Sequence, residues 1–248
     1  MTRLQRVSVL VSAGVIAALA GLVANFPARL ALSWFAPPAV QAWGVEGTVW
    51  NGRATDVALD GHGFGGLAWE VHGRSLPGLR PTWDLALRRS EGFAQATVTI
   101  HLIGDRQVIR DLDAALELST LPPAIVPIGV TGRARISLER LVLEQGWPTA
   151  VVGRADVGEM ELPGVILPLG PFEFEFAERP GGPLGNIRST GGPLTVEGRI
   201  ELPERGRWHF SAELAPGEDP PRELIEGLRF VGEDLGGGRR LLEMSSHP

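Results

Sequence analysis

The sequence predicts a mainly β protein: one N-terminal transmembrane helix, a body of extended, curved antiparallel sheet, and a short C-terminal amphipathic helix. Three observations carry that prediction. An uncharged run of twenty residues stands near the start. From Gly44 onward, apolar and polar side chains alternate with a period of two, as half-buried strands do. Glycine and proline, 33 and 20 residues, sit mostly between the alternating runs, where turns need them.

The first element is VSVLVSAGVIAALAGLVANF, Val7 to Phe26. As a helix it rises about 30 Å, the hydrocarbon thickness of a bilayer. Arg3 and Arg6 precede it and determine its topology: the positive-inside rule leaves the N-terminus in the cytoplasm. Residues 1–26 are thus a cytoplasmic tip and anchor. This predicts a single-pass protein of a bacterial inner membrane, with its C-terminal body in the periplasm. The same stretch also fits a cleaved signal peptide, with Ala18-Leu19-Ala20 as the cleavage sequence. The apolar run continues past Ala20 through Leu22, Val23 and Phe26, which favours the retained anchor. Both readings export the body.

Residues 27–43 read as a stalk, begun as a short helix and ended by Pro37 and Pro38. Residues 44–128 form a β-rich first half, with strands in EGTVWNGRATDVALDG, GLAWEVHG, PTWDLALRR and FAQATVTIHLIG. Residues 129–216 form a second, with GRARISLERLVLEQ, AVVGRADVGEMEL, GPFEFEFAE, PLTVEGRIEL and GRWHFSAELA. Phe172, Phe174 and Phe176 share one strand face, and Glu173 and Glu175 the other. A recurring Gly-Arg-apolar triplet leaves open a relation between the two halves. Residues 217–248 carry the last helix, in PPRELIEGLRFVGE, and a tail. Pro220 and Pro221 suit its first turn, and Leu224, Ile225, Leu228 and Val231 form its apolar stripe.

Composition narrows the function. At 44% hydrophobic residues the chain can bury a core, and a net charge of −6 argues against nucleic acid as a partner. All 23 basic residues are arginine, so lysine chemistry is out, and the absence of cysteine removes thiolate nucleophiles and Cys-ligated metals. A formal Gly-x-Gly-x-x-Gly at Gly61, Gly63 and Gly66 fails its context, because LAWEVHG after it alternates like a strand where a nucleotide site needs a helix. It reads as a glycine-rich turn. The five histidines include no helical His-x-x-x-His pair, and no Gly-x-Ser-x-Gly elbow occurs. No catalytic, cofactor-binding or metal-binding residue is predicted, and no cofactor. Seven tryptophans without a tyrosine are the remaining signal. Trp34 suits a membrane interface, and Trp43, Trp50, Trp69 and Trp83 are candidate contacts to a partner or a lipid, beside the plainer reading of core packing.

GVEGTVWNGRA, Gly44 to Ala54, resembles the hallmark of the type II secretion system protein N family, also called general secretion pathway protein N. The likeness extends to the anchor, to Phe26-Pro27-Ala28-Arg29-Leu30, and to the Gly-x-Leu-x-Trp element at Gly65 to Trp69. Later it takes in Gly146-Trp147-Pro148, Leu167-Pro168-Leu169-Gly170, Gly192-Pro193-Leu194 and Gly198. The resemblance implies a non-catalytic subunit of the machine that exports folded proteins across the outer membrane. Its partners would be the inner membrane and other secretion subunits, and it brings no catalytic residues. The glycine-punctuated strands also resemble periplasmic AsmA-like proteins, which implies the alternative of a lipid-binding or lipid-transfer groove.

Overall fold

A computed structural model describes residues 21, 23–73, 78–121, 126, 129–161 and 169–246. Arg3, Arg6 and most of the Val7 to Phe26 run lie outside the described residues, so the expected anchor does too. Among the described residues no helix is long and apolar enough to cross a membrane.

The described residues of the body form one open antiparallel sheet of fifteen strands. Helix α1 (Ala28–Phe35) leads into β1 (Val40–Trp43), so part of the predicted stalk belongs to the sheet. Then follow β2 (Glu46–Gly47), β3 (Asn51–Leu59), β4 (His62–Val71), β5 (Thr82–Arg89), β6 (Gly92–His101) and β7 (Arg106–Glu117). The longest strands come next, β8 (Thr131–Glu144) and β9 (Trp147–Glu161). The chain continues through β10 (Phe172–Ala177), β11 (Leu184–Ser189), β12 (Leu194–Glu204) and β13 (Arg207–Pro216). Helix α2 (Arg222–Leu228) precedes β14 (Glu233–Gly236) and β15 (Arg239–Ser245).

Spatial order follows chain order with two departures: β2 pairs only with β3, and β15 lies between β13 and β14. The sheet is not interrupted where two halves were expected. β7 and β8 pair from Arg106 opposite Glu144 to Glu117 opposite Arg133. Short connections between antiparallel neighbours explain this order, since two-residue hairpins such as Asp60-Gly61 permit nothing else.

Register places apolar residues on one face from end to end. Trp83 opposes Val98, Ala94 opposes Ala114, Leu116 opposes Ala134, Val157 opposes Phe172, and Val196 opposes Leu214. Bulges keep this parity where simple alternation would lose it. In β7, Ile109 and Ala114 are an odd number apart yet share the face, because Asp111 takes φ 50° and adds an unpaired position. Glu139 is the matching extra residue in β8, between Leu138 and Arg140. The bulges lie side by side and bend both strands at one level.

The other face is polar and laced with cross-strand ion pairs. Glu173 takes Arg154 at 3.2 Å and Arg188 at 2.7 Å. A small apolar cluster of Val108, Val142 and Ala150 interrupts that face.

Among the described residues the apolar face is covered in three places. α1 lies over the first strands. Leu118 and Val130 pack with Ala134 and Val157 over the middle. At the far end Leu228 of α2 joins Leu169, Phe172, Leu194, Val196, Ala212 and Leu214. The predicted stripe of α2 needs one correction. Leu224 and Val231 pack against this cluster, but Ile225 is exposed, because the helix ends at Leu228 and docks along a narrow edge.

Candidate functional site

The GTVWNG segment is a hairpin tip. Gly47 of β2 pairs with Gly52 of β3, and Thr48 N–H donates to the Asn51 carbonyl at 2.8 Å. The Thr48 hydroxyl accepts from the backbone N–H groups of Trp50 and Asn51, both at 3.2 Å, which fixes the loop locally. Two glycines are required by space. Gly47 has φ 90°, and a Cβ on Gly52 would meet Trp69 Cζ2 at 2.5 Å and the Glu46 carbonyl oxygen at 2.6 Å. The indole of Trp69 therefore lies directly on Gly52, and its Nε1–H donates to the Thr48 carbonyl at 3.1 Å.

The same tip grips the end of the N-terminal segment. Trp50 Nε1–H donates to the Val23 carbonyl at 2.8 Å, and Val49 N–H donates to the Phe26 carbonyl at 3.0 Å. Pro27 forms a bridge with Thr48. Phe26 and Trp34 rings approach to 5.7 Å.

Beside this clamp, α1 and the apolar face of β1 and β3–β6 line an open cavity of about 550 Å³. Its lining is alanine, valine, leucine, isoleucine and tryptophan alone. α1 contributes Ala28, Ala31 and Leu32, and Val49 comes from the hairpin tip. The strands contribute Ala54, Val57, Leu67, Trp69, Trp83, Leu85, Val98 and Ile100. Other clefts of similar size hold charged side chains, such as Glu70, Asp84 and Asp111 beside Gly52.

The four tryptophan candidates thus divide. Trp69 and Trp83 line the cavity and Trp50 borders it through the clamp, while Trp43 is half exposed, on the side of β1 away from the lining residues Val40 and Ala42. The sequence predicts the short helix α1, ended before Pro37, but not its place as the wall of a cavity. The signal for that place was present in ARLALSWF, where Ala28, Ala31 and Leu32 recur at helical spacing.

The Gly61, Gly63 and Gly66 motif opens a strand, β4, and not a helix. Only Gly61 is in the turn, with φ 81°, while Gly63 and Gly66 lie within β4. His72 Nε2 lies 2.6 Å from Asp84 Oδ2, and the Thr97 hydroxyl donates to Asp84 Oδ1 at 2.8 Å. These bonds, His72's first, hold the Asp84 carboxyl below its usual value. Among the described residues, no group of three or more His, Asp or Glu could hold a metal ion.

Comparison with known proteins agrees with the hairpin signature. The family model "Type II secretion system (T2SS), protein N" matches residues 38–242. The chain is 25% identical over 231 residues to the type II secretion system protein N of Aeromonas hydrophila, covering 90% of this chain and 92% of that one. It is 25% identical over 232 residues to the protein of that name from Vibrio cholerae, covering 88% and 89%. For Pectobacterium carotovorum the identity is 22% over 242 residues, with 89% of each chain covered. No solved structure matches. The chain belongs to the type II secretion system protein N family.

Proposed function

We propose that this member of the type II secretion system protein N family is a non-catalytic subunit of the secretion machine, anchored in the inner membrane by Val7 to Phe26. Its periplasmic sheet supports assembly or function of the apparatus that exports folded proteins across the outer membrane. The observation that carries this reading is the family match over nearly the whole body, residues 38–242. The uncharged run with Arg3 and Arg6 on its N-terminal side supports the anchoring and its direction. Other secretion subunits are the expected partners. The open sheet offers them two edges, β1 and β14, that can accept a further strand.

In-cell cross-linking of the tagged full chain tests the role. Adducts with inner-membrane secretion subunits are expected, and an adduct set containing none of them would sink it. Topology is read separately. A phosphatase fused after Pro248 should be active, and N-terminal sequencing of the mature protein should return Met1 or Thr2. A mature chain starting at Gly21 would establish the cleaved signal instead.

A further inference from the structure

We propose that the cavity between α1 and the first strands holds one acyl chain of a membrane phospholipid, with the headgroup left outside. This rests on the membrane anchoring proposed above. The lining speaks first. The wall carries no charged, hydroxyl or amide side chain, and the Trp69 indole N–H is already given to the Thr48 carbonyl. A peptide strand laid in such a space would bring N–H and carbonyl groups that find no partner on its wall, which disfavours it. A headgroup would meet no charge. A hydrocarbon chain has nothing to satisfy, and about 550 Å³ lies within the range of built ligand sites, about 300–1,000 Å³.

Position speaks second. Ala28, the first wall residue, stands two residues beyond the end of the uncharged run. The bonds from Trp50 to Val23 and from Val49 to Phe26 fix the end of that run against the hairpin, and Val49 itself lines the cavity. The cavity therefore sits within about a helical turn of the point where the run leaves the bilayer.

Third, α1 is apolar on two sides. Ala28 and Leu32 face the cavity, while Leu30 and Trp34 point away and are 42% and 64% exposed. An exposed Leu and Trp next to an apolar run suit the lipid interface, which makes α1 a thin wall between bilayer and cavity.

The test uses the full chain reconstituted in vesicles of phosphatidylethanolamine and phosphatidylglycerol. A trace phospholipid carries a diazirine at the end of one acyl chain. After illumination, digestion and mass spectrometry, adducts are expected on Val7 to Phe26 and also on the β5 and β6 peptides bearing Trp83, Leu85 and Val98. Ala31→Trp, which fills the cavity from α1, should lower the β5 and β6 labelling about tenfold and leave that of Val7 to Phe26 unchanged. Val57→Phe repeats the filling from the sheet side if the helix variant loses its fold, and the wild-type map decides independently of both. Labelling confined to Val7 to Phe26 and α1 would overturn the cavity and leave the anchoring standing. Labelling absent from Val7 to Phe26 would overturn the anchoring. Undiminished β5 and β6 labelling in a folded, filled variant would also overturn the cavity. A diazirine analogue of leucine at position 85, illuminated in cells, identifies the natural occupant. A lipid adduct is expected, and an adduct to a second copy or another protein would overturn the proposal.

Discussion

At the scale of single residues, Gly52 shows why the hairpin signature contains a glycine that no turn requires. It sits in β3 with ordinary backbone angles, and the constraint is the indole of Trp69 pressed onto its Cα. Gly52→Ala forces Trp69 off its bond to Thr48 or pushes β2 away. It should destabilise the protein by about 1–3 kcal/mol, as overpacking does, seen as a lower denaturant midpoint. An unchanged midpoint would show that Trp69 gives way freely. Asp84 supports a prediction in pH. Its carboxyl is held below the ordinary 3.8 by the bonds from His72 and Thr97. A depressed carboxylate contributes stability above its unfolded value, and that stability is lost as pH falls below it through the folded value. Asp84→Asn should therefore narrow the gap to the wild type in melts taken below about pH 4 and widen it at neutral pH. The effect is small, since both side chains are half exposed. A gap independent of pH would refute this assignment.

At the scale of elements, α2 shows how little contact holds a helix onto this sheet. It has seven residues, too few for stability alone, and Leu228 is the one side chain it fully buries. Leu228→Ala should cost up to about 2–5 kcal/mol by the lost burial and the cavity left behind. Because α2 can detach, the loss should appear as faster proteolysis between Pro216 and Glu233, with β8 and β9 unaffected. The same short element was legible in advance, from Pro220, Pro221 and the Leu224–Leu228 spacing. The strands β3 to β6, β8 to β10, β12 and β13 were legible too, because each keeps a stretch of clear alternation even where, as in β3, β8 and β9, a bulge interrupts it. β7 was not: RQVIRDLDAALE is dense in charge, and the bulge at Asp111 shifts the apolar residues out of step. β11 hides behind Gly185 and Asn186, and β14 and β15 behind a run of three glycines. The cavity was half legible. Trp69 and Trp83 marked it, but the bond from Trp50 to Val23 joins residues 27 apart and left no local pattern.

At the scale of the whole molecule, the consequence of the strand order is that stability cannot be uniform. Almost every strand contacts only its neighbours in the chain, so the sheet approaches a one-dimensional stack in which each strand pairing adds its own share of stability. The strongest pairings are central: β7, β8 and β9 have 12, 14 and 15 residues and pair along most of their length. The edges are weak, since β1 and β14 have four residues each and β14 is exposed throughout. Local opening should therefore start at either edge and stop at the long strands. Native-state hydrogen exchange should find the slowest amides around Val142, Leu141 and Val151. Protection should fall stepwise through β6 and β5 on one side and β10 and β11 on the other, with β14 exchanging fastest. α1 and its cavity lie on the first of these slopes, over β1 and β3–β6. Acyl-chain binding should raise protection there selectively, in β3 to β6, and leave the β10–β15 side unchanged. One common exchange rate from β1 to β15 would mean that the sheet opens as a single unit, and would remove the basis for expecting a locally responsive end beside the membrane.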